Sequence, residues 1–188
     1  PPPIGGDEPG FLATGDLPPA GPEPTPWSAT PIDLPKDNFS GSGCENIDWT
    51  TVPAEERSTR IYLLQESGSA FFGVNEVVLT LKNQKAAKSL ADKIKKSMTS
   101  CKERKLTAQV AKPDKVSSIG ARSSEVTGYT AIVQQKGGNR TTKFRVGIVW
   151  TGEKLIYTFA NPSENYDFTD KQWDRIAVRA GERVTQIT

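Results

Sequence analysis

Residues 71–101 read FFGVNEVVLTLKNQKAAKSLADKIKKSMTSC and hold two periodicities joined by one capping residue. From Phe71 to Lys82 side chains alternate. Val74, Glu76, Val78 and Thr80 face one way, and Val77, Leu79 and Leu81 the other, which is a β-strand pattern. Asn83 is a good helix N-cap. From Gln84 to Ser100 the spacing changes to that of a helix, with Ala87, Leu90, Ala91, Ile94, Met98 and Cys101 on one apolar stripe. A strand that runs directly into an amphipathic helix calls for a sheet with a helix packed on it.

Working outward, Arg60–Glu66 predicts a strand that pairs with 71–82 through the gap Ser67–Ala70. C-terminal to the helix, Leu106–Val110 and Val116–Ile119 predict short strands. Then come three consecutive strands, Ser124–Lys136, Thr141–Trp150 and Lys154–Ala160, separated by turn signals at Gly137-Gly138-Asn139 and Thr151-Gly152-Glu153. Three strands in a row with tight turns make a meander, which is antiparallel. Gly137–Arg140 lacks the following helix of a phosphate loop, so it reads as a hairpin turn. Ser163–Phe168 is a polar loop with two aromatics. Thr169 caps a second helix running to Ile187, with Trp173, Ile176, Ala177, Ala180, Val184 and Ile187 as its stripe. The expected fold class is α+β: an antiparallel β-sheet with two principal α-helices packed on it.

The 188 residues divide by composition. Residues 1–37 are proline-rich, which favours extended chain. Phe11-Leu12, a turn at Thr14-Gly15-Asp16, and Trp27 have little use in a spacer, so this segment is expected to be partly docked, loose over Pro1–Gly10 and bound over Phe11–Pro35. Residues 38–188 form a single domain, with a helical turn expected at Cys44–Trp49. The chain opens at Pro1 with no initiator Met, so a signal peptide or membrane helix is expected upstream in the full-length protein.

There is no histidine, and the net charge is +2. The first fact removes the usual Ser-His and Cys-His pairs and most zinc sites. The second is too mild to argue for nucleic acid or membrane by itself. The two cysteines, 57 residues apart, could form a disulfide, remain core thiols or supply part of a metal site. A metal would need further soft or imidazole ligands. Cys101 ends the helix stripe, whereas Cys44 lies among Gly, Ser and Glu, where an unpaired thiol would be exposed. A Cys44–Cys101 disulfide fits both positions and implies an oxidising compartment.

The remaining candidates are surface features. The basic run from Lys82 to Lys105 is opposed only by Asp92 and Glu103. Lys85, Lys88, Lys95 and Lys96 are the candidate contacts for an anionic surface such as lipid headgroups or cell-wall polymer; otherwise the run is a solvated helix face. Tyr129, Trp150 and Tyr157 are candidate groove aromatics for a glycan or lipid if one sheet face is open, and core residues otherwise. Glu164, Asp167 and Asp170 could hold a cation, but an acidic helix N-terminus, favoured by the macrodipole, is the better explanation of them.

Cys44, the FFGVNEVVLTL strand, the KAAKSLADKIKKSMTSC helix, the FRVGIVWTGEKLIYTF hairpin (144–159) and the DKQWDRIAVRAGERV helix (170–184) together resemble the PknH-like extracellular sensor domain family of actinobacterial envelope proteins and lipoproteins. The leader FLATGDLPPAGPEPTPW (11–27) is similar as well. The PknH sensor carries a second disulfide in its later half, for which this chain has no cysteines. The resemblance implies an extracytoplasmic, membrane-anchored, non-enzymatic sensor that binds a small ligand, cell-wall glycan or lipid, with a protein partner as a further option. No cofactor, catalytic residue, metal or nucleic acid is expected. The runner-up is a structural or chaperone-like envelope lipoprotein binding a protein or lipid partner, and the third reading a carboxylate-dependent hydrolase.

Overall fold

Along β3 (Phe71–Thr80) the even-numbered side chains Phe72, Val74 and Glu76 are buried on one face of a sheet, and Val77 and Leu79 on the other. Both faces of the sheet therefore carry a core, each with one helix packed on part of it. The computed structural model describes residues 4–35, 41–65, 71–101, 108–110, 115–119, 122–134 and 140–185. Its remaining strands are β1 (Ser28–Ala29), β2 (Glu56–Gln65), β4 (Ala108–Val110), β5 (Lys115–Ile119), β6 (Arg122–Gln134), β7 (Thr141–Thr151) and β8 (Lys154–Ala160). The helices are α1 (Gln84–Thr99) and α2 (Asp170–Thr185), with a 3₁₀ turn at Thr14–Asp16.

All pairings are antiparallel, in the order β1-β2-β3-β8-β7-β6-β4, with β5 also on β6. The expected meander is β6-β7-β8. It joins the β2-β3 hairpin through a β3–β8 seam of seven residue pairs, from Val74↔Ala160 to Thr80↔Lys154. The fold is the expected α+β sheet with two helices and one disulfide. β2 begins at Glu56 rather than Arg60, because Glu56–Thr59 continue the register against Val77–Thr80 despite their polar side chains. The predicted turns at 67–70 and 137–139 lie outside the described residues.

On the first face α1 packs over β7 and β8. Ala87, Ala91, Ile94 and Met98 are buried, and the Asn83 side chain accepts from Ala86 N at 2.9 Å, the cap that the sequence predicts. At the end of α1 the Cys44–Cys101 disulfide is fully buried, with Cα atoms 5.1 Å apart. The expected helical turn at 44–49 is absent. Gly41, Gly43 and Asn46 have positive φ, which breaks helical geometry. The loop instead folds Cys44 beneath α1 and lays Trp49 on Tyr157, ring centroids 4.4 Å apart. A Cβ at Gly41 would collide with the Tyr157 hydroxyl, so this loop needs a glycine there.

On the second face lies α2, with Trp173, Ile176, Ala177, Ala180 and Val184 buried. Thr169 and Gln172 form a reciprocal cap: Thr169 Oγ1 accepts from Gln172 N at 3.1 Å and the Gln172 side chain accepts from Thr169 N at 2.8 Å. Beside α2 runs the N-terminal arm. Leu12, Leu17, Ala20 and Ala29 are buried with Tyr62, Phe72, Tyr166 and Phe168 in a second core. Trp27 stacks on Phe168 at 6.0 Å and donates from Nε1 to Pro18 O at 3.0 Å. Docking starts earlier than the prolines suggest. Gly5 N donates to Ala29 O at 2.7 Å and Gly10 is buried, so the expected loose stretch ends before Gly5, and Pro1–Pro3 lie outside the described residues.

Candidate functional site

The lysines expected to meet an anionic surface are only partly available. Lys88 Nζ is 2.6 Å from Asp92, and Lys95 bridges Asp92 and Glu125. Lys85 and Lys96 stay exposed on α1. Asp167 and Asp170, the candidate cation ligands, converge instead on the buried Arg145, which donates to Asp167 at 2.6 Å and to Asp170 at 2.7 Å. Burial pushes the Asp167 carboxyl up, but Arg145 and Lys143 hold it below its ordinary range on balance. These carboxylates are already neutralised by cationic side chains, and Glu164 is exposed.

The candidate groove aromatics are corrected. Tyr129, Trp150 and Tyr157 are buried in the core beneath α1, because that face of β6, β7 and β8 is covered rather than open. The Tyr157 hydroxyl donates to Glu45 at 2.9 Å, and burial first, then the Glu45 charge, raises its pKa. The open part of this face lies further out, over β2 and β3, beyond α1 and the Trp49 loop. Here Ile61 is 36% and Phe71 47% exposed, and Leu63 is half-buried.

The register assembles these residues into a trough. Leu63 pairs with Gly73, Ile61 with Asn75, and Asn75 with Phe159 across the seam. Phe159 stacks on the half-buried Phe144 at 5.6 Å. One side is therefore Ile61 and Leu63, the other Phe144 over Phe159, with Gly73 and Asn75 between them and Phe71 at the end of the same strand. A Cβ added at Gly73 would meet only Tyr62 O at 3.4 Å and Leu63 Cδ2 at 3.5 Å, ordinary contacts. Packing does not require glycine there; its effect is to keep the floor low, as where a ligand approaches a strand closely.

On the opposite face of the same two strands lies a second group that sequence reading did not single out. Arg60 and Glu76 are fully buried cross-strand partners. Glu76 Oε2 accepts from Leu12 N at 3.1 Å and from the Tyr62 hydroxyl at 2.8 Å. Arg60 donates to Thr30 O at 2.8 Å and to Gly6 O. Asp16 accepts from Arg179 at 3.0 Å and Arg183 at 2.8 Å. Glu76 shares its face with Val74 and Val78, and a carboxylate within a buried apolar stripe was the available signal.

No family model, curated protein or solved structure matches the chain. Among the described residues no helix is long and apolar enough to cross a membrane.

Proposed function

We propose that this chain is a non-enzymatic, extracytoplasmic ligand-binding domain that acts as the sensor of a membrane-anchored bacterial protein or lipoprotein. The observation that carries the reading is the cluster of exposed and half-buried apolar side chains Ile61, Leu63, Phe71 and Phe144 around Gly73, on a sheet face that is buried beneath α1 and the Trp49 loop further along. Its ligand is apolar or presents flat C–H faces: a lipid acyl chain or the ring face of a cell-wall sugar. The buried disulfide supports an oxidising compartment.

The test is a heteronuclear NMR titration of the full chain with short-chain phospholipid and, separately, with soluble peptidoglycan fragments. Saturable shifts confined to residues 61–63, 71–75 and 144 in one titration name the ligand class, and Gly73→Val, which raises the floor, abolishes them. Shifts in neither titration, or shifts that survive Gly73→Val, overturn the reading. Saturation only by an unfolded polypeptide transfers the trough to the runner-up, a chaperone-like lipoprotein.

A further inference from the structure

We propose that Gly5–Asp33 is a releasable strap, and that the ionisation of Glu76 sets how tightly it is seated. This inference is independent of the trough and its ligand.

The attachment chemistry is unusual for a core segment. The strap buries Leu12, Leu17, Ala20 and Ala29 in the second core, and charged and polar side chains of the sheet grip its main chain as well. Glu76 takes the Leu12 amide, the Tyr62 hydroxyl reaches Leu12 O at 2.7 Å, and Arg60 takes the carbonyls of Thr30 and Gly6. The strap adds only two strand residues, Ser28 and Ala29, to the edge of β2, with one further bridge to it from Asp33 to Thr59; the Gly5 bridge to Ala29 is internal to the strap. At the heart of the seat, Arg60 Nη1 and Glu76 Oε1 are buried without a hydrogen-bond partner. A charged pair left half-satisfied in an apolar core favours a state in which water reaches it. The meander and α1, in contrast, are held by long ladders and buried stripes.

The groups facing Glu76 are few. β2 presents Tyr62 and Arg60, the strap presents the Leu12 amide and Asp16, and β8 presents Thr158. α2 contributes Arg179 and Arg183, both engaged by Asp16. Burial dominates and pushes the carboxyl up to about 7; the two hydrogen bonds and Arg60 oppose it, and Asp16 reinforces it. With the strap lifted, Glu76 meets water and returns toward its ordinary value of 4.5. The raised carboxyl fixes the sign: seating is strongest below that ordinary value, weakens as pH rises toward 7, and levels off above it. Asp16 is held below its ordinary range, so it stays ionised throughout this window and adds no slope.

Hydrogen exchange of the full chain by mass spectrometry, corrected for intrinsic rates, tests this. Between pH 5 and pH 8, opening of residues 5–20 is expected to increase at least tenfold, while β7 and β8 keep their protection. Glu76→Gln, which fixes the neutral form, is expected to keep the strap protected at both pH values. Should that variant not fold, the wild-type profile suffices: opening must climb from about pH 4.5 and flatten above about 7. A strap whose protection ignores pH, a glutamine variant with the wild-type slope, or loss of β7 and β8 together with the strap would each overturn the proposal.

Discussion

Asp16 sits on a 3₁₀ turn with its side chain 8% exposed, between Arg179 and Arg183 of α2. Burial raises its carboxyl, and the Arg183 contact, the Ala13 amide and Arg179 more than reverse that. Asp16→Ala removes the shared acceptor of Arg179, Arg183 and the Ala13 amide, and urea melts are expected to show a loss of about 2 kcal/mol. The acids of this protein act in opposite directions with pH. Asp16 and Asp167 are depressed, so their contributions are present above pH 3.8 and vanish as pH falls below it. Glu76 is raised, so its contribution is complete below pH 4.5 and disappears as pH climbs through about 7. Chemical denaturation across pH should therefore place maximal stability on the acid side of neutrality, and Glu76→Gln should flatten the neutral limb while leaving the acid limb in place.

At the scale of elements, α2 lies against the sheet where Gly128 faces Gly147 across β6 and β7. A Cβ at Gly147 would strike Thr158 Oγ1 and come within 3.2 Å of Ala177, and one at Gly128 would strike Asp174. Gly147→Val is expected to cost about 3 kcal/mol, read as a lower denaturation midpoint, because it wedges the helix off its seat. Such close approaches are invisible to periodicity, which reads each element alone. Both helices and the meander were legible because their stripes and turns are local properties of the chain. The first four residues of β2 were not, since Glu56–Thr59 are polar and owe their strand conformation to β3. The strap was half legible: Phe11, Leu12 and Trp27 announced docking, but proline content masked Gly5–Gly10, whose partners are the Ala29 carbonyl, which accepts from Gly5 N, and Arg60, which donates to Gly6 O. Sequence leaves Tyr129, Trp150 and Tyr157 open between groove and core because alternation shows that a face exists and not what covers it.

For the molecule as a whole, the disulfide closes 57 residues containing β2, β3 and α1. Its reduction is expected to cost about 4 kcal/mol on the chain-entropy account. That corresponds to a melting point roughly 10 °C lower in a chain of this size, measured by calorimetry with and without reductant. An unchanged melt would mean that the crosslink adds nothing to the packing around Cys44 and Cys101.

The β3–β8 seam gives the sheet a history as well as a shape. β3 ends at Thr80, and its central partner begins at Lys154. In a chain emerging N-terminus first, both cysteines are out more than fifty residues before β8, so the ring can be oxidised while the flank of β3 has no neighbour. For that interval β3 is an unpaired apolar edge. The ring then acts as a placeholder, keeping helix, hairpin and loop gathered around a vacant lane until the last strand arrives to fill it.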